Sequence, residues 1–260
     1  MRALGFNKTY NLPFNAAIPN STNAVLNKKS QSSRIKFYKR CLYLRMKGQV
    51  LLETNKILPQ HKNILWINFS APSLGDSLMD LSSRAMLSDR NIDLLTNKKN
   101  AHIYENDIYF SAIFNSPNQI NSQHYDLVIL DSYSTRSVRI KAQVAFNVPF
   151  VGMFGFFNGP EVNRVLFSFH QMNSLLGNLK KVSDINRIAM PSIFISDEDY
   201  QIIENLDLPE HYIVIVVGGE WNFRTYNSWD RVIEELLKLE NNTKIVLVGS
   251  YNGIEISNLL

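Results

Sequence analysis

The chain has 260 residues, 45% of them hydrophobic and 19% charged, which is enough apolar material for one or two folded domains and too much for a disordered chain. Cys41 is the only cysteine, so an internal disulfide and a cysteine zinc cluster are both excluded, and a reducing compartment is favoured. The net charge of +4 hides an asymmetry: residues 1–62 carry twelve Lys/Arg against the single acid Glu53, while the remainder carries fifteen against twenty-two.

The basic leader, 1–62, reads either as a surface that meets anions, phospholipid or nucleic acid, or as a solvated tail. Its first thirty residues are rich in Asn, lack the apolar centre of a secretory signal and are expected to be poorly ordered. Residues 33–52 interleave Ile35, Phe37, Tyr38, Leu42, Tyr43, Leu44 and Met46 with Arg34, Lys36, Lys39, Arg40, Arg45 and Lys47. That mixture suits a helix at a membrane interface or an ordinary helix packed on the body. No run of about 18 apolar residues is present, so no spanning helix is expected.

From 63 to 190, short apolar runs alternate with helical patterns. Strands are predicted at 64–69 (ILWINF), 92–95, 109–114, 127–130 (LVIL) and 150–154. Helices are predicted at 78–87, through Tyr104, through about Ala145, and over 163–176. Strands alternating with helices predict a parallel sheet with crossover helices. A further region, 191–260, opens with the strand 212–217 (YIVIVV), ending at Gly218-Gly219. Ser228 is the expected N-cap of a helix over 229–239, and a strand follows at 244–248. This is the opening of a second Rossmann-like unit, with about fifty residues where a domain usually takes ~100.

Two loops carry the chemistry. Ser70-Ala71-Pro72-Ser73-Leu74-Gly75-Asp76 follows the first strand and leads into a helix, on the edge of the sheet where ligands bind. Gly75 would let a ligand approach the backbone. Asp76, at the helix start, serves either as a cap or as a general base. The loop is no dinucleotide fingerprint, since G-x-G-x-x-G is missing. The second loop runs from Gly218-Gly219 through Arg224 and Thr225 to Trp229; free amides and Arg224 there suit a diphosphate, and a plain strand-to-helix loop is the alternative. Asp131 to Arg136 follows LVIL, and Arg136 either meets an anionic acceptor or is simply solvated. The five histidines show no metal-ligand spacing.

Together these segments resemble glycosyltransferase family 9, the lipopolysaccharide heptosyltransferases. The resemblance is carried in order by ILWINFSAPSLGDSLMDLSSRAML, NIDLLTNKKNAHIYEND, YDLVILDSYSTRS and YIVIVVGGEWNFRTYNSWDRVIEELLKL, over about 61–255. It implies an α/β, GT-B fold: two Rossmann-like domains with parallel sheets, here 63–190 for the acceptor and 191–260 for the nucleotide sugar, the second incomplete. The implied reaction transfers a sugar with inversion, heptose from ADP-heptose, to a lipopolysaccharide-core acceptor. Asp76 matches the family's base; Ser73, Gly75 and Arg136 would meet the acceptor, and Gly218, Gly219, Arg224 and Thr225 the donor. No metal, other cofactor or nucleic acid is implied, and the setting would be cytoplasmic, peripheral on the inner membrane through residues 33–52.

Two departures stand out. Asn227 occupies a position where the family often has Lys, leaving Arg224 as the nearest cation. The family's later Asp-Ser-Gly-Pro-x-His-type segment has no counterpart, so an incomplete donor pocket is expected, as in a fragment or a shortened, non-catalytic acceptor- or membrane-binding relative. The missing glycine fingerprint disfavours an unrelated dehydrogenase.

Overall fold

The computed structural model describes residues 31–121, 124–154, 163–218, 226, 228–239, 244–249 and 253. The Asn-rich residues 1–30 lie outside them. The chain divides into two compact units, Met1–Phe194 and Ile195–Leu260.

The first unit is built on a five-stranded parallel sheet: β1 (Asn63–Asn68), β2 (Asn91–Thr96), β3 (Ala112–Phe114), β4 (Leu127–Leu130) and β5 (Phe150–Gly152), in the order β3-β2-β1-β4-β5. β1 pairs with β2 from Asn63↔Asn91 to Asn68↔Thr96, and with β4 from Ile64↔Leu127 to Ile67↔Leu130. Residues of these central strands are buried on both faces, as parallel sheets require, and they alternate between two cores. Ile64, Trp66, Ile92, Leu94, Leu127 and Ile129 face one side, with Leu81, Leu87, Met172 and Leu175. Leu65, Ile67, Leu95, Val128 and Leu130 face the other, with Val138, Ile140, Val144 and Leu44.

Around the sheet run α1 (Gln31–Met46), α2 (Leu74–Asp80), α3 (Lys98–Ala101), α4 (Thr135–Val144), α5 (Arg164–Leu175) and α6 (Val182–Ile188). α1 ends where Gly48 takes φ +65°, a conformation that suits glycine. Phe37 and Leu44 of α1 are buried, so one side of this helix packs on the body, while other side chains of it stay outside.

Two predicted elements come out differently. The helix expected over 78–87 starts earlier, at Leu74, and gives way after Asp80 to a 3-10 segment, Ser82–Leu87. The Ser82 hydroxyl donates to the Met79 carbonyl and Arg84 Nη1 to the Leu81 carbonyl, offering this backbone partners other than those of a continuing α-helix. The strand expected over 109–114 shrinks to Ala112–Phe114, because Asp107 holds the preceding residues in a turn by accepting from the Tyr109 amide.

That turn belongs to a buried cluster. Arg84 is fully buried; its Nε donates to Asp107 Oδ2 at 2.7 Å and its Nη2 to the Ser192 carbonyl at 2.8 Å. The rings of Tyr104, Tyr109, Phe110 and Phe194 surround the guanidinium at 5.8–5.9 Å. Planar, weakly hydrated guanidinium suits such a cage.

The second unit contains α7 (Asp197–Glu204), β6 (Tyr212–Val216), α8 (Trp229–Leu239) and β7 (Lys244–Val248), with β6 and β7 paired in parallel from Tyr212↔Lys244 to Val216↔Val248. α7 opens with a capping box in which Ser196 and Asp199 exchange side-chain to backbone bonds. α8 begins at Trp229, directly after Ser228, where the sequence puts it.

Candidate active site

In a sheet ordered 3-2-1-4-5 the chain reverses direction between β1 and β4, and the loops leaving those strands open a crevice at the carboxyl edge. Here these are the loops carrying Ser70–Asp76 and Asp131–Arg136, both singled out from the sequence.

Asp131 ties the two loops together. Its Oδ2 accepts from the Phe69 and Ser70 amides at 2.7 and 2.5 Å, and its Oδ1 from the Ser132 amide at 2.5 Å. Burial pushes this carboxyl above its usual range, against the pull of those donors and of Ser137. Around it gathers a hydroxyl cluster: Ser70 Oγ lies 2.8 Å from Ser132 Oγ and 3.2 Å from Ser137 Oγ. Ser134 caps α4 by accepting from the Ser137 amide, and Arg136, in the first turn, points its exposed side to solvent. The first turn of α4 therefore rests on a hydrogen-bonded hydroxyl cluster.

Asp76 stands in the first turn of α2. Ser73, the N-cap, accepts from the Asp76 amide at 3.3 Å and donates its hydroxyl to Asp76 Oδ2 at 2.7 Å. Asp76 Oδ1 accepts from Arg164 Nη1 at 2.7 Å. Arg164, at the start of α5, turns its remaining edge to Asp80, donating from Nε to Oδ1 at 2.9 Å and from Nη2 to Oδ2 at 2.8 Å. Its guanidinium lies 5.5 Å from the centre of the Phe154 ring. One planar cation thus bridges two carboxylates one helical turn apart, a geometry lysine could not supply.

The two carboxylates differ in environment. Asp80 is buried, and desolvation pushes it up to about 7 from 3.8, against the attraction of Arg164. Asp76 keeps 23% of its side chain exposed. It is the reachable member of the pair: a carboxylate fixed in orientation, open to a ligand, and backed by a cation. Such a group can hold a ligand's hydroxyl or take its proton.

Gly75 is exposed, and a Cβ there would meet nothing within 4 Å. Among the described residues, none requires glycine at this position, and the space beside it is open.

In the second unit, Gly218 closes β6 with φ +91°, where L side chains are strained. Gly219, Arg224 and Thr225 lie outside the described residues. A cavity of about 340 Å³ lined by His170, Asn173, Asn178, Leu179, Lys180, Lys181 and Val182 includes none of the residues named from the sequence. Among the described residues, no group of three or more His, Cys, Asp or Glu side chains is placed to hold a metal.

Ser73, Gly75 and Asp76, named from the sequence, lie together on this loop and helix start, whereas Arg164 and Asp80, which complete the clamp, were not named from it. Asp80 carried a signal, since it falls one turn after Asp76 on a predicted helix. Arg164 carried none, because it arrives from 88 residues further on.

These features define an open, doubly wound α/β fold with its ligand edge at the β1–β4 crevice, the fold class of GT-B glycosyltransferases. Among solved structures, the glycosyl transferase family 9 protein from Veillonella parvula DSM 2008 is similar with a TM-score of 0.58 at 15% identity, over 78% of this chain and 67% of that one. E. coli heptosyltransferase WaaC, solved with ADP-2-deoxy-2-fluoro heptose, aligns with a TM-score of 0.45 at 14% identity, over 76% and 72%. The family resemblance of the loops is thus matched by a solved structure at the level of the fold. No protein-family model and no curated protein matches the chain.

Proposed function

We propose that the chain is an inverting nucleotide-sugar glycosyltransferase of the heptosyltransferase type. The observation that carries this reading is the placement of Asp76: partly exposed at the crevice of a GT-B-class sheet, with Ser73 and Arg164 fixing its carboxylate. The acceptor hydroxyl would lose its proton to Asp76 as its oxygen attacks the anomeric carbon. The bond from that carbon to the nucleotide diphosphate breaks on the opposite face, so the configuration inverts. Arg164 keeps the carboxylate aimed, and the loop resemblance assigns the diphosphate to the Gly218-Gly219 segment.

ADP-heptose as donor, a lipopolysaccharide-core saccharide on lipid as acceptor, and a place at the cytoplasmic face of the inner membrane all follow from the loop resemblance. Calorimetric titration with ADP and ADP-heptose tests the donor side. Saturable binding of both supports the reading; no heat from a folded sample rules it out.

One observation favours a second reading, a non-catalytic acceptor-binding relative. Both Asp76 oxygens are already engaged, one by a cation and one by a hydroxyl, and a base must give up part of that solvation to accept a proton. Acceptor binding without ADP binding would select this alternative.

A further inference from the structure

α1 precedes the first strand of the sheet and has apolar residues on two opposite sides. At 100° per residue, Phe37 and Leu44 fall together, and both are buried. Ile35, Tyr38, Leu42 and Met46 fall on the other side and are 64%, 50%, 59% and 72% exposed. They recur at i, i+3, i+7 and i+11, a continuous stripe over about 17 Å of helix. The inward side is explained by the body it packs on. Among the described residues, nothing covers the outward stripe.

The charges show what fits it. Lys39 and Arg45, both exposed, flank the stripe by about 60° on either side. No acid occurs in the sequence before Glu53. A second copy of this helix would bring the same cations against these, which disfavours self-association. A surface that is apolar at depth and anionic at its rim matches both features, since aliphatic groups enter the acyl boundary while flanking cations stay with the headgroups. We propose that the outward face of α1 docks on an anionic lipid surface, with Ile35, Tyr38, Leu42 and Met46 inserted and Lys39 and Arg45 at the headgroups.

The test is co-sedimentation of the full 260-residue chain with vesicles of phosphatidylethanolamine and phosphatidylglycerol, beside vesicles of phosphatidylcholine alone. Binding should be confined to the anionic vesicles and weaken with salt. The double substitution Leu42→Glu with Met46→Glu should lower the partition coefficient at least about tenfold, and Lys39→Gln with Arg45→Gln by about tenfold. Both pairs are exposed, so the unfolding midpoint should not move. Co-sedimentation reports binding alone, so its outcome is independent of transferase activity. The proposal is overturned by equal binding to both vesicle types, by no binding to either, or by vesicle binding that survives both double substitutions. Self-association in sedimentation velocity that Leu42→Glu with Met46→Glu abolishes, without vesicle binding, would overturn it too and assign the face to a second copy.

Discussion

Removing Arg164 should cost more than a surface ion pair and less than a fully buried one. Arg164→Ala takes two donors from Asp80, whose side chain is only 3% exposed, and one from Asp76. Breaking a buried pair by deleting one partner costs about 3–5 kcal/mol. The Arg164 side chain is 37% exposed, so water replaces part of the loss, and about 2–3 kcal/mol is the expectation. In an Asp80→Asn background no charge is stranded, and the same change should cost about 1 kcal/mol. The pH dependence is a second signature. Burial raises Asp80 from 3.8 to about 7 in the folded protein, so the folded state holds a proton that the unfolded chain has released. Stability from this group therefore falls as pH rises from about 4 to 7, by up to about 1.4 kcal/mol per unit. Without Arg164 the carboxyl rises further, so the decline continues beyond pH 7 and the cost of Arg164→Ala grows there. Urea unfolding of the four proteins of this cycle at pH 5.5, 7 and 8.5 reads both effects. Equal costs in the two backgrounds, or a cost that shrinks as pH rises, would refute the clamp.

Other outcomes follow from single residues. Arg84→Ala should destabilise the chain by about 3–5 kcal/mol, since it strands Asp107 among aromatic rings; in the double variant Arg84→Met, Asp107→Asn much of that loss should return, as read by chemical denaturation. Gly75→Ala meets no neighbour and should keep or slightly raise the thermal midpoint, by helix propensity of up to about 1 kcal/mol. The same variant should weaken acceptor binding, because the methyl group occupies the ligand's side of the loop; an unchanged acceptor affinity would remove Gly75 from the site.

What the sequence disclosed here is what local chemistry determines. LVIL and ILWINF are continuous apolar runs, and a strand buried on both faces leaves no other pattern. Ser73 and Asp76 are three residues apart, so their mutual bonds were within reach of sequence spacing. The break after Asp80 was less legible, because the Arg84 side chain that takes the Leu81 carbonyl also serves a cluster closed by Asp107 and Ser192. The capping box at Ser196–Asp199 stood in the sequence and marks a helix that the apolar pattern alone did not suggest. The two sides of α1 could not be ranked from sequence, since both are apolar and only packing decides which one is covered.

The central claim is that Asp76 removes the proton from an acceptor hydroxyl. The direct measurement is acceptor-dependent release of ADP from ADP-heptose, with a lipid-linked core saccharide as acceptor, by the wild-type chain and by Asp76→Ala and Asp76→Asn. Turnover by the wild type, a fall of about 10²–10⁴-fold in both variants, and unchanged ADP affinity are expected. Undiminished release by Asp76→Ala, or a wild-type chain that binds donor and acceptor without turning them over, would contradict the claim.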